Sequence, residues 1–426
     1  MTKKEPSPIE LDGKTGEGGG QLVRVACAIA SVTGEAIRIV NVRGNRLGGR
    51  GRARAKGEAS HKGGGLKSQH VASISWLAEV TGATTSGVEV GSQTVEFRPR
   101  LRPSQLEKRS IKIDALTTAA STTLILQAIL PFLVFAGNKQ GEPIEVEITG
   151  GTNVDFSPSF EYVDQVLLPT LEHVFDLKIE RRLHSRGWSL GQAARGKVTL
   201  TVHPLKVGEP LRLRDPSAVF GEDDMELTAI DVSMIIPCDM QEPVRAALEQ
   251  ELDHHFPDVE VNFKIIEDSK SDARAYVLLV ARSGTLRWGR DRLSSVFKQA
   301  KDKGLAAKSL VRDLCAELYD EMQTGGVVDV FLQDQLIIFQ ALAEGRTSFP
   351  RSDQPEDAGD SPAKELAKLT IGQELKEDNT YQPFGEGSLH SQTARWVTCE
   401  LVPFVGWYNN GRVCDGRGIH MEKTSP

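Results

Sequence analysis

One pattern constrains the fold of this chain more than any other: three times, a turn rich in Gly or small residues leads into a stretch of helical period. In GEGGGQLVRVACAIAS, Leu22, Val25, Ala26 and Ile29 fall at i, i+3, i+4 and i+7. TTAASTTLILQAILPFL puts Ile125, Ala128, Ile129 and Phe132 on one stripe. GGVVDVFLQDQLIIFQALAEG does the same with Leu332, Leu336, Phe339 and Ala343. Between them, AIRIVNV, PIEVEITG, KVTLTV and AYVLLVA alternate or are β-branched, and read as strands. A helix with one apolar stripe must bury it against a sheet or another helix. The expectation is an α+β fold in which one α+β unit is used three times, alike in pattern rather than identity.

Two kinds of segment break the pattern. Residues 206–285 change character, with DVSMIIPCD, a charged helix around PVRAALEQELDHHF, and VEVNFKII; they read as a small α/β insert domain. The organisation expected is two units in 1–205, the insert in 206–285 and the third unit in 286–426. Residues 47–65 are Gly-, Arg- and Lys-rich, and 351–387 are acidic with scattered Pro and Gly. Both read as flexible or disordered surface insertions, which a chain tolerates because closure entropy grows slowly with loop length.

Composition excludes several classes. With 51 Lys plus Arg against 58 Asp plus Glu, the net charge is −7, so any nucleic-acid surface must be local. The five cysteines are far apart and form no CxxC pair, which argues against a zinc site or a disulfide framework. The start, MTKKEPSPIE, has no apolar core of a secretory signal, and LILQAILPFLVFA (124–136) is too short to span a bilayer and contains Pro131. A nuclear or cytoplasmic protein is expected, not a secreted or membrane one.

GKTGEGGGQ (13–21) invites a phosphate-loop reading, but position 8 is Pro and the helix follows GGGQ rather than Lys-Thr. The turn is either purely structural or brings backbone N–H groups to an anion. Glu17 beside it would repel phosphate unless a divalent metal lay between. Eight Lys or Arg occupy 43–67, with Glu58 the only acid, so a solvated loop and a phosphate contact compete there. His390, in SLHSQTARW, has no Cys or second His beside it. It is either a structural residue or a neutral imidazole able to act as a nucleophile.

Together these segments resemble the RNA 3′-terminal phosphate cyclase family, as a eukaryotic or fungal-like member with insertions. DGKTGEGGGQLVR, IRIVNVRGNR, GLKSQHV, TTAASTTLILQAILPF, EITGGTNVDFSPS, GGVVDVFLQDQLIIFQALAEG and SLHSQTA carry the likeness in the family's order. The resemblance implies three repeated α+β units with a small insert, an architecture shared with enolpyruvyl transferases, whose motifs are not seen here. It implies an ATP-dependent ligase that converts an RNA 3′-phosphate to a 2′,3′-cyclic end through a histidine–AMP intermediate. His390 would be the nucleophile. Glu17 would assist catalysis and hold the divalent metal, Mg2+ or Mn2+. Gln127, Pro158, Phe331, Asp334 and Gln335 would line the nucleotide site with His390. Arg24, Arg43, Arg46 and Gln69 would bind triphosphate or the RNA end, with His70 a weaker candidate. Phe331 stands where the family often has Tyr, so a hydroxyl contact is expected to be missing while ring packing remains. Gly64 replaces a usual Pro, and SLGQAARG replaces a Pro- and Gly-rich stretch. The implied alternative is a non-catalytic cyclase-like protein of ribosome biogenesis, a branch lacking the nucleophilic histidine.

Overall fold

The apolar stripes and alternating runs assemble into four small sheets among the described residues, each covered by helices. The computed structural model describes residues 7–46, 64–214, 226–351 and 375–421. Residues 47–63 of the basic stretch and 352–374 of the acidic one lie outside that description, and so do the flexible insertions expected there.

The first sheet contains β1 (Ile9–Asp12), β2 (Ile37–Val40), β3 (Thr84–Ser86) and β4 (Val95–Arg98), in the order β1-β2-β4-β3. β1 and β2 are parallel, while β4 is antiparallel to both of its neighbours. A parallel pair cannot be joined by a tight turn. Here the crossover is α1 (Gly20–Thr33), and α2 (Ser68–Thr81) follows β2. The second sheet repeats the scheme with β5 (Ser110–Asp114), β6 (Ile144–Gly150), β7 (Lys178–Ser185) and β8 (Gly196–His203). Its crossover is α3 (Thr122–Phe135), and its second helix, α4 (160–175), has a π-helical middle at Val163–Leu167.

The third sheet orders β9 (Ala229–Ile236), β10 (Glu260–Asp268), β11 (Ala275–Ser283) and β12 (Leu286–Ser294) as β10-β9-β11-β12. α5 (Gln241–His255) and α6 (Lys303–Met322) pack together beside it. Every residue of β9 is buried, as a strand with both faces covered requires. Next come α7 (Val330–Leu342), β13 (Glu344–Ser348), α8 (Leu389–Leu401), β14 (Gly406–Tyr408) and β15 (Val413–Arg417). Their sheet, β13-β15-β14, gains a parallel bridge from Arg212 to Glu344 and so has the same series of pairings as the first two.

These pairings do not coincide with boundaries at 206 and 285. Leu211 and Arg212 join β13, whereas the β11–β12 hairpin and α6 carry the inserted sheet past residue 285. We propose an inserted unit of 226–322, lying between the first strand of the last unit and its first helix. LRWGRDRLS hides a strand because its charges suggest surface, yet Arg290 is buried against Glu321.

Helices α1, α3, α7 and α8 form the centre: α1 touches α3 and α8, and α7 touches α8 and α3. All twelve stripe residues named from the sequence are buried. Each fully buried Leu, Ile or Phe of this kind contributes about 1.5–3 kcal/mol. α3 is buried all round except at Gln127. No helix among the described residues is long and apolar enough to cross a membrane. Cys27, Cys315 and Cys414 are buried free thiols, while Cys238 is exposed and Cys399 intermediate.

Part of the acidic stretch is well anchored. Asp378 accepts the backbone N–H of Asn410 and Gly411, Glu386 N donates to Asn410 O, and Arg412 binds the Glu386 carboxylate. Residues 375–387 are therefore clasped to the β14–β15 turn rather than disordered. The buried Arg395 of α8, its guanidinium over Trp407, donates to Glu386 O and fixes the approach to His390.

Candidate active site

The glycine run is shaped by what surrounds it. Gly18 has φ 61°, a left-handed conformation that Gly adopts without penalty. A Cβ there would strike the Asn45 side chain, and one on Gly19 would strike the Glu17 carboxylate. On Gly20 it would lie 2.6 Å from His70 Nε2 and 2.8 Å from an Arg24 nitrogen. Close approach of site side chains, as well as the turn itself, thus demands glycine. Helix α1 starts immediately after, with no side-chain cap and no acidic residue in its first turn. Its unpaired N–H groups and dipole favour an anion there.

Four distant segments meet at this point. The imidazole Nδ1 of His390, in the first turn of α8, contacts Oε1 of Gln21, in the first turn of α1. Gln21 Nε2 is fully buried and has no hydrogen-bond partner among the described residues. With Oε1 towards the ring, His390 Nδ1 is the donor and Nε2 keeps a free lone pair. Burial, then Arg24 and Arg46, draws the His390 pKa down to about 4, so the ring is neutral at pH 7. Asp334 is pushed up to about 7, chiefly by burial and against the pull of Gln335 and Arg24. Gln335 Nε2 donates to it at 2.5 Å, and Arg24 Nε donates to Gln127 Oε1 at 2.5 Å. Burial lowers Arg24 to about 10. Asp334 and Gln335 flank the apolar stripe, but neither faces open solvent: Gln335 is buried.

The remaining expected residues lie around this centre. Arg46 pairs with Glu17, whose backbone N–H donates to Thr393 Oγ1 at 3.0 Å. Arg43 (φ 54°) donates to Gly65 O at 3.2 Å, and burial lowers its pKa. His70 is buried; its Nδ1 accepts the Lys67 N–H, and burial, then Arg24, Arg43 and Lys67, hold its pKa well below 6.5. Gln69 precedes it in the first turn of α2. Pro158 O accepts from Thr123 Oγ1, one helical turn before Gln127. The Phe331 ring is 47% exposed, with the Tyr162 ring edge-on at 6.3 Å and Arg290 over it at 5.1 Å. Gln21, Thr393 and Arg290 were not among the expected residues. The sequence signal for Gln21 is its place three before Arg24 on one helix face; Arg290 had none.

Glu17 fits a cation in one respect: its Oε2 is buried and lacks a hydrogen-bond partner. Among the described residues no group of three His, Cys, Asp or Glu could enclose a metal. A Mg2+-like ion held through one carboxylate, with phosphate and water completing its shell, matches such a donor set.

The sequence family described as RNA 3′-terminal phosphate cyclase matches residues 15–359, which include every expected site residue except His390. Proteins named RNA 3′-terminal phosphate cyclase are similar over most of their length. The one from Pyrococcus abyssi is 32% identical over 342 residues, 79% of this chain and 86% of its own. That of Methanosarcina mazei is 33% identical over 353 residues, 80% of this chain and 89% of its own. That of Drosophila melanogaster is 30% identical over 348 residues, 80% and 85% respectively. The chain belongs to the RNA 3′-terminal phosphate cyclase family.

Proposed function

We propose that this chain is an ATP-dependent enzyme that cyclises an RNA 3′-terminal phosphate, with His390 as its nucleophile. The observation that carries the reading is the contact of His390 Nδ1 with Gln21 Oε1 in a pocket that keeps the ring neutral. Nε2 then attacks the α-phosphorus of ATP; an N–P bond forms, the bond to the bridging oxygen breaks, and pyrophosphate leaves. An oxygen of the RNA 3′-phosphate next takes AMP from His390, forming a phosphoanhydride and freeing the imidazole. The adjacent 2′-hydroxyl attacks the activated phosphate, loses its proton, and AMP departs. Activation is needed because a phosphate dianion has no adequate leaving group.

Arg24, Arg43 and the start of α1 offer positive charge for the triphosphate. Phe331 and Pro158 would flank the adenine, and Gln127, Asp334 and Gln335 would fix the nucleotide's polar edges. A divalent metal bound through Glu17 would offset charge developing on the phosphates.

Incubation with ATP labelled at the α-phosphate should leave an acid-labile AMP adduct on the wild type and none on His390→Ala. A 3′-phosphorylated oligonucleotide should then become phosphatase-resistant. Equal labelling of both proteins would overturn the nucleophile assignment. Labelling without cyclisation would overturn the RNA step, and no labelling of the wild type would favour the non-catalytic alternative.

A further inference from the structure

Two apolar residues on the rim of the site hold backbone conformations that their side chains disfavour. Phe156 has φ 61° and a fully exposed side chain, and Leu116 has φ 68° and is 57% exposed. Single exposed apolar residues are ordinary, but a bulky L residue in the left-handed region is an outlier that something must justify. Neither side chain gains burial in return.

Their loops are adjoining and well tied. Gly151 N donates to Ala120 O and Thr122 N to Gly151 O, which joins the Leu116 loop to the Phe156 loop at the start of α3. The 154–157 turn is closed by Ser157 Oγ donating to Val154 O at 2.9 Å, and Asp155 N donates to Ser189 Oγ at 3.2 Å. Phe156 is therefore presented outward by an anchored turn two residues before Pro158. On the other side, Thr117 Oγ1 reaches Ser68 Oγ, beside Gln69. The pair thus spans the rim between the residue expected at the adenine and one expected at the RNA end.

We infer that Phe156 is a stacking platform for the 3′-terminal base of the RNA, with Leu116 beside it. This rests on the cyclase reading. An enzyme that rearranges the terminal phosphate must hold the last nucleotide still, and Arg24, Arg43 and Arg46 offer charge suited to phosphates rather than a surface for a base. An exposed ring holds any base through its π-face, which suits recognition of an end rather than a sequence. The tied turn holds the ring outward in spite of that backbone strain.

The test measures affinity for a 5′-fluorescent oligonucleotide with a 3′-phosphate, at fixed salt and without ATP. One oligonucleotide carries a terminal base and the other is abasic at that nucleotide. The wild type should bind the base-bearing end roughly ten- to hundredfold more tightly. Phe156→Gly should lose that preference, and Phe156→Trp should retain it. Because Gly accepts φ 61°, the Gly variant should melt no lower than the wild type, so a fold defect would show itself. Retained discrimination in Phe156→Gly overturns the inference. So does a wild-type self-association that this substitution abolishes in sedimentation, since a second copy would then be the ring's partner. AMP labelling of the wild type reports separately on the cyclase reading: base discrimination at Phe156 without labelling would leave the platform standing and remove the reading.

Discussion

His390 is uncharged at neutral pH because burial and the Arg24 and Arg46 guanidiniums depress it to about 4. Neutrality alone does not make a nucleophile, since the proton must also sit on the correct nitrogen. On the proposed mechanism that choice falls to Gln21, a residue with no chemistry of its own. Gln21→Leu, similar in size but without the amide, should slow AMP labelling at saturating ATP by two or more orders of magnitude. Mis-set catalytic histidines lose up to about 10⁴-fold. The apparent affinity for ATP should change little, and an unchanged labelling rate would remove Gln21 from the mechanism. Asp334 carries a pH prediction. Its pKa, about 7 when folded, exceeds the unfolded value of about 3.9, so stability from its bound proton is full below pH 4 and lost as pH rises through 7. His390 acts in the opposite direction: its depressed value costs stability as pH falls from about 6.5 to 4. Asp334→Asn removes only the first effect. Its urea midpoint, relative to the wild type, should therefore rise between pH 5 and pH 8, and a pH-independent difference would contradict the titration.

Helix α7 is aimed from its first residue. Asp329 caps it by accepting the N–H groups of Phe331 and Leu332 at 2.9 Å, and also accepts from Tyr162 Oη and the Gly289 N–H at 2.8 Å. Arg290, next to Gly289 on β12, stands over the Phe331 ring. Arg290→Met should therefore raise the ATP concentration needed for half-maximal labelling roughly 2- to 30-fold, with the maximal rate little changed; Arg290→Lys should recover part of the loss. A fall in maximal rate alone would point instead to misplaced Asp334. The helices α1, α3 and α7 were legible because apolar residues recur in each at helical spacing, in α3 on nearly every face. α8 was not, because its inward face includes Ser391, Thr393, Arg395 and Thr398, all buried on polar partners. A periodicity of hydrophobicity cannot report a face that packs through hydrogen bonds.

At the scale of the molecule, the inserted unit is fastened to the last unit by charge. Glu321 of α6 takes Arg290 of β12 on one oxygen and Arg351, just beyond β13, on the other and on the same one. Removing the carboxylate both guanidiniums share, as in Glu321→Ala, should cost about 3–5 kcal/mol in urea unfolding. Amide exchange should rise at the start of α7 as well as in the insert; exchange confined to the insert would refute the coupling. The sequence motifs carried the residues of the site but not the contacts among them, because partners such as Gln21 and His390 are 369 positions apart. That separation has a consequence for biosynthesis. A ribosome stalled anywhere between the two leaves a fragment that has the glycine turn and Glu17 but lacks His390. On the proposed mechanism such a fragment should form no AMP adduct, so activity waits until α8 has been made.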